Sequence, residues 1–160
     1  MNSTRLPALA LMLLWLGAAL ATPVQLQDPQ SGKSVALPVG ARAVHLVFFA
    51  TWCPTCIDEL AQLSELEARW SGKGYRLVIV AVRTRHTAAR LAGFIADERP
   101  PGRLLFDSEG AAERRWAAKS LPTHVVLDAH GDEVARSSVV GPEIEAALAG
   151  LLDVRRGRGP

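Results

Sequence analysis

Residues 50–60 read Ala50-Thr51-Trp52-Cys53-Pro54-Thr55-Cys56-Ile57-Asp58-Glu59-Leu60, ATWCPTCIDEL, and hold both cysteines of the 160-residue chain. Two cysteines separated by two residues can form a staple, supply half of a metal site, or cycle between dithiol and disulfide. A structural zinc site needs about four ligands. His45, His86, His124 and His130 provide no His-x3-His partner, and there is no second cysteine pair. A staple across so short a loop constrains little of the unfolded chain.

The remaining reading is chemical, and it rests on position. Upstream, Val44 to Ala50 (VHLVFFA) is a nearly unbroken apolar run, as is Leu77 to Val82 (LVIVAV) downstream. Such runs suit strands covered on both faces. Between them Ile57, Leu60, Leu63, Leu66 and Trp70 recur at helical spacing, so the cysteines sit where a strand passes into a helix. A thiol at a first helical turn faces unpaired N–H groups that favour thiolate. Cys53 is therefore the candidate nucleophile. Cys56, one turn deeper, is the candidate resolving thiol. Pro54 suits the first turn because it lacks an N–H that would be unpaired there.

Working outward, Val24 to Leu37 alternates apolar and polar residues about Asp28-Pro29 and Ser31-Gly32, the pattern of a hairpin. A helix is expected from Thr87 to Glu98, stopped by Pro100-Pro101-Gly102. A short strand at 103–107 and a helix from about Glu109 to Ala118 follow. THVVLD at 123–128 and EVARSSVV at 133–140 are spaced as an antiparallel hairpin. A final helix runs from Pro142 to Leu152. The expectation is an α/β fold with a central mixed sheet flanked by helices and an N-terminal hairpin.

With 49% apolar and 21% charged residues the chain suits one domain with a real core. The net charge of +2 and the lack of like-charge blocks do not suggest a nucleic-acid partner. Arg5 followed by the apolar run Leu6 to Ala18 and the small-x-small Ala19-Leu20-Ala21 reads as a secretory signal peptide over 1–21. An uncleaved anchor is the alternative. Residues 22–153 then form the domain and 154–160 a basic flexible tail. Export places the cysteines in a periplasmic or other exported compartment, where disulfides persist.

The stretches FFATWCPTC, GYRLVIVAV, LLFDSEGAAERRWAAKSLPTHVVLDAHG and VVGPEIEAALAGLL together resemble the thioredoxin-like TlpA/ResA proteins, exported thiol-disulfide oxidoreductases, over about Val24 to Leu152. CPTC is also similar to the active site of the cytochrome c maturation members, DsbE or CcmG. The resemblance implies a thioredoxin-like fold with Cys53 attacking, Cys56 resolving and Trp52 flanking the site. Pro122 would be a cis-proline facing the disulfide, with Leu121 and Thr123 beside it binding the client chain. It implies no cofactor beyond the Cys53–Cys56 disulfide. The implied partners are disulfide-containing clients and a membrane electron donor of the DsbD or CcdA kind, and the protein is expected to be a monomer.

Glu59 matches a carboxylate that ResA-type proteins link to proton movement at the thiols; its other reading is a solvated first-turn glutamate. Three departures from related patterns stand out. Val47 occupies the position of the buried Asp of cytoplasmic thioredoxins. Ala61 replaces a helix-kinking proline, which suggests a straighter helix. SLPTH replaces the Ala-Pro-Glu type loop of DsbE proteins.

The leading expectation is a protein-disulfide reductase, with clients in cytochrome c or copper-oxidase maturation. An oxidant or isomerase of the same fold is the alternative. A copper-binding module using Cys53, Cys56 and His124 is the expectation from another class.

Overall fold

The computed structural model describes residues 23–37 and 40–153. The expected signal segment and basic tail lie outside them. Among the described residues no helix is long and apolar enough to cross a membrane.

The chain opens with the expected hairpin, β1 (Val24–Gln27) and β2 (Ser34–Leu37). Asp28 makes the turn by accepting from the N–H groups of Gln30 and Ser31. Then come β3 (Ala43–Phe49), α1 (Pro54–Asp58), α2 (Leu60–Trp70) and β4 (Tyr75–Val82). These are followed by α3 (Ala88–Glu98), β5 (Arg103–Asp107), α4 (Ala111–Arg115), β6 (Thr123–Asp128), β7 (Glu133–Ser137) and α5 (Pro142–Leu152).

The strands make one mixed sheet in the order β2-β1-β5-β4-β3-β6-β7. β3, β4 and β5 run parallel, β6 pairs antiparallel to β3, and β7 antiparallel to β6. The hairpin reaches the sheet through the antiparallel pair Gln27↔Phe106, reinforced by an Arg103–Asp28 ion pair at 2.8 Å.

All seven residues of β3 are buried, as the unbroken apolar run predicts. Val44, Leu46 and Phe48 join a core with Leu91 of α3 and Trp116. Ala43 and Val47 join a second core with Leu63, Leu66 and Trp70 of α2 and Ile144, Leu148 and Leu152 of α5. Both faces of the sheet are thus covered, the arrangement that a parallel centre requires.

Three elements differ from expectation. The helix after the cysteines is interrupted at Glu59, which caps α1 and starts α2. It breaks without a proline, and the carboxylate of the break residue is drawn inward onto β6. The helix expected to run to Ala118 ends at Arg115, because Ala117 takes a left-handed conformation at φ 47°. β7 stops at Ser137, and the backbone beyond it turns so that the Val140 N–H meets Glu59.

Candidate active site

The site is assembled where β3 ends. Cys53 is the N-cap of α1, and its Sγ accepts from the backbone N–H of Cys56 at 3.3 Å. The hydroxyl of Thr55 lies 3.3 Å from the same sulfur. Cys53 and Cys56 are joined as a disulfide with Cα atoms 5.3 Å apart. Cys53 is 6% exposed and Cys56 1%, so Cys53 is the less buried of the two. Pro54 occupies the first turn.

Trp52 is 43% exposed beside the disulfide. Its indole N–H donates to the Thr84 carbonyl at 3.0 Å, and the Arg85 guanidinium lies 5.6 Å from its ring centroid. One residue earlier, Thr51 is held by His86. The His86 Nδ1–H donates to the Val82 carbonyl at 2.6 Å, which leaves Nε2 to accept from the Thr51 hydroxyl at 3.1 Å and its N–H at 3.3 Å.

The Leu121–Pro122 peptide is cis. Pairing of β6 with β3 begins at Thr123↔Phe48, so Leu121 lies just before the ladder. The Thr123 hydroxyl donates to the Ser120 carbonyl at 2.7 Å and steadies this loop from below. A cleft of about 440 Å³ runs between the two halves of the site, lined by Trp52, Cys53, Pro54, Lys119, Ser120 and Leu121.

Glu59 is 9% exposed, which sets aside its reading as a solvated glutamate. It follows Cys56 by one helical turn, the spacing at which two side chains share a face. Its Oε1 accepts from the Val140 N–H at 3.0 Å, and its Oε2 lies 2.8 Å from His124 Nε2. The contacts continue inward. His124 Nδ1 is 3.1 Å from His45 Nε2, and His45 Nδ1 is 3.0 Å from the Tyr75 hydroxyl. Both imidazoles are fully buried.

Burial, with the neighbouring His124 adding to it, pushes the His45 imidazole down to about 3. Burial also lowers His124, against the opposing pull of the Glu59 charge and hydrogen bond. Burial raises the Tyr75 phenol above its ordinary range, and the Glu67 charge raises it further.

The position of the thioredoxin Asp is filled by Val47, whose cross-strand neighbour is His124. Polar chemistry under the cysteines therefore arrives from β6 and the α1–α2 break instead of from β3. Both ring nitrogens of His124 are engaged within the protein, so copper beside the sulfurs would have to displace one of these bonds. Among the described residues no group of three or more His, Cys, Asp or Glu side chains is arranged to hold a metal ion.

Reading the sequence placed Cys53, Cys56, Trp52, Glu59 and Leu121-Pro122 in this region, and the fold brings them together. It missed His45, His86 and Tyr75. A histidine inside an apolar strand such as VHLVFFA was the available signal for His45, since a buried imidazole needs partners.

The Redoxin family model matches residues 4–152. The sporulation thiol-disulfide oxidoreductase A of Bacillus subtilis strain 168 is 25% identical over 155 residues, covering 89% of this chain and 93% of that one. The thiol:disulfide interchange protein DsbE homolog of Paracoccus denitrificans strain Pd 1222 is 27% identical over 143 residues, covering 82% and 72%. The crystal structure of StoA from Bacillus subtilis shares the fold, with a TM-score of 0.64 at 20% identity over 79% of this chain and 96% of that one. With a Cys53–Cys56 disulfide at the head of its redox helix, this chain belongs to the Redoxin family as a thiol-disulfide oxidoreductase of the ResA and DsbE type.

Proposed function

We propose that this protein is a reductase of disulfides in exported client proteins. The reduced Cys53 thiolate attacks a client disulfide, forming a Cys53–client bond and releasing the client's other sulfur. Cys56, its proton passed to Glu59, attacks Cys53 Sγ, closes the Cys53–Cys56 bond and frees the second client sulfur, which takes a proton from solvent. The client chain lies in the cleft between Trp52 and Leu121, its backbone held by Leu121 and Thr123 beside Pro122.

The observation that carries this reading is the buried Glu59 carboxylate one turn from the resolving cysteine. A reductant must deprotonate Cys56 on every turnover, and a base held beneath it serves that step. The names of the relatives support it too: DsbE and thiol-disulfide oxidoreductase A are proteins of thiol exchange. In an oxidising compartment the dithiol must be regenerated, which calls for a membrane electron donor of the DsbD or CcdA kind. Apocytochrome c and copper-oxidase subunits are the clients to try first, with the protein acting as a periplasmic monomer.

The deciding measurement is the reduction potential, read from Trp fluorescence in dithiothreitol or glutathione buffers. A value below about −220 mV is expected; one above about −150 mV would make the protein an oxidant or isomerase and overturn the proposal.

A further inference from the structure

The reading above makes Glu59 the base for Cys56, and the inference that follows rests on it. What that reading leaves unused is the line of three buried polar side chains behind the carboxylate, drawn from three different strands: His124 on β6, His45 on β3 and Tyr75 on β4. We propose that His124 is the positioning residue for Glu59, and that its tautomer is reinforced from the far end of the line by Tyr75 acting through His45.

The line admits only one arrangement of its protons. A carboxylate only accepts, so the 2.8 Å contact requires the proton of His124 to sit on Nε2. A neutral imidazole with its proton there has a bare Nδ1, which can only accept. The 3.1 Å contact then requires His45 to carry its proton on Nε2. That leaves His45 Nδ1 bare, and Tyr75, whose hydroxyl can donate, fills it at 3.0 Å. Each link holds one proton and all three point toward Glu59.

The surroundings hold both rings neutral, since burial disfavours the imidazolium form of each. The charged or titratable groups facing the line are Glu59 at one end, where the Val140 N–H from the β7–α5 connection also donates, and Glu67 of α2 acting on Tyr75 at the other. Without the Tyr75 donor, His45 Nδ1 is left buried and unpaired, and only the Glu59 end of the line still favours the Nε2–H tautomers. With the wrong tautomer at His124, two bare acceptors would face each other across 2.8 Å. The Glu59 carboxylate would then swing away from the face it shares with Cys56.

The consequence for the reaction is a correctly placed proton acceptor. As Cys56 Sγ–H gives its proton to Glu59, the sulfur's electron pair forms the bond to Cys53 and the Cys53–client bond breaks with its pair on the client sulfur. Glu59 passes the proton on to solvent and is again the carboxylate that accepts from His124 in the disulfide state; Cys56 takes up a proton when the donor reduces the disulfide. His124 remains Nε2–H throughout, so the line is spent on orientation.

The test follows resolution of a Cys53–client mixed disulfide by stopped-flow Trp fluorescence across pH 5–9 in the full-length protein, using a disulfide-linked peptide as probe. Tyr75→Phe keeps the ring and removes the donor; it is expected to slow resolution about three- to tenfold at pH 7 and to shift the pH profile. His124→Gln carries its own N–H and needs no tautomer. In that background Tyr75→Phe is expected to have no further effect, whereas a packing defect would persist. Nitrogen-15 spectra of the wild-type imidazoles are expected to show both as Nε2–H. An Nδ1–H tautomer at His124, a Tyr75→Phe profile that superimposes on wild type, or additive effects in the double variant would overturn the inference. Glu59→Gln separates the two claims: if it leaves the pH profile unchanged, the base reading itself has failed, whereas a changed profile beside an inert Tyr75→Phe sinks only the role of the line.

Discussion

The backbone N–H of Cys56 points at the sulfur of Cys53 across 3.3 Å, where it would stabilise negative charge on that sulfur once the disulfide is reduced. Donors aimed at a sulfur favour its thiolate. Cys53→Ser is expected to abolish disulfide reduction. Cys56→Ser should accumulate a mixed disulfide with the client, visible as a dithiothreitol-sensitive adduct on a non-reducing gel. Wild-type turnover in Cys53→Ser would contradict the mechanism.

His86 acts at one remove from the sulfur. By bridging the Val82 carbonyl and Thr51, it fixes the residue two before Cys53. His86→Ala removes three contacts and should lower the alkylation rate of reduced Cys53 by about three- to tenfold, with the protein still folded. Unchanged alkylation would show that the Trp52–Thr84 bond suffices to hold this loop.

Acid should destabilise the protein well above the carboxylate range. Folded His45 is held down to about 3, against an ordinary imidazole value of 6.5. Below 6.5 the unfolded chain therefore binds a proton that the folded chain does not, and stability falls as pH drops from there toward 3. His124, also lowered, adds to the fall with the same sign. The urea midpoint should decline from pH 7.5 to 5. A midpoint flat across that range would mean that the imidazoles are hydrated or charged in the native state.

Far from the disulfide, Gly102 has φ +66°, and a Cβ there would sit 2.7 Å from the Leu77 carbonyl oxygen. Gly102→Ala combines left-handed strain with a backbone clash and should cost about 2 kcal/mol or more. The reduction potential should stay at its wild-type value, since the Cβ would press on Leu77 of β4, which does not line the cysteine cleft. A potential that moved with stability would show that the fold's global tension reaches the redox helix.

The parts legible in the sequence are those written in local patterns. Unbroken apolar runs announced β3 and β4, and Asp28-Pro29 with Ser31-Gly32 announced the hairpin. The proline of the first turn announced α5, and the cysteine spacing announced the site. The parts that escaped depend on register. His45 and His124 lie 79 residues apart, and only the antiparallel pairing of β3 with β6, with Val47 opposite His124, brings their rings into contact. The break at Glu59 escaped for the same reason. It coincides with a carboxylate bonded to partners 65 and 81 residues away, which no reading of helical periodicity contains.

The hairpin at the margin of the sheet has a meaning for how this molecule meets other chains. Without it β5 would end the sheet as a rim of open amide groups inviting any extended peptide to dock. With it the outermost strand on that side is β2, four residues long. The opposite rim, β7, carries Glu133 and Arg136 locked together at 2.8 Å. Both rims are poor templates for aggregation. On the proposed mechanism, an extended client chain is thereby left the loop before Pro122 as its place to dock, and is turned away at both rims.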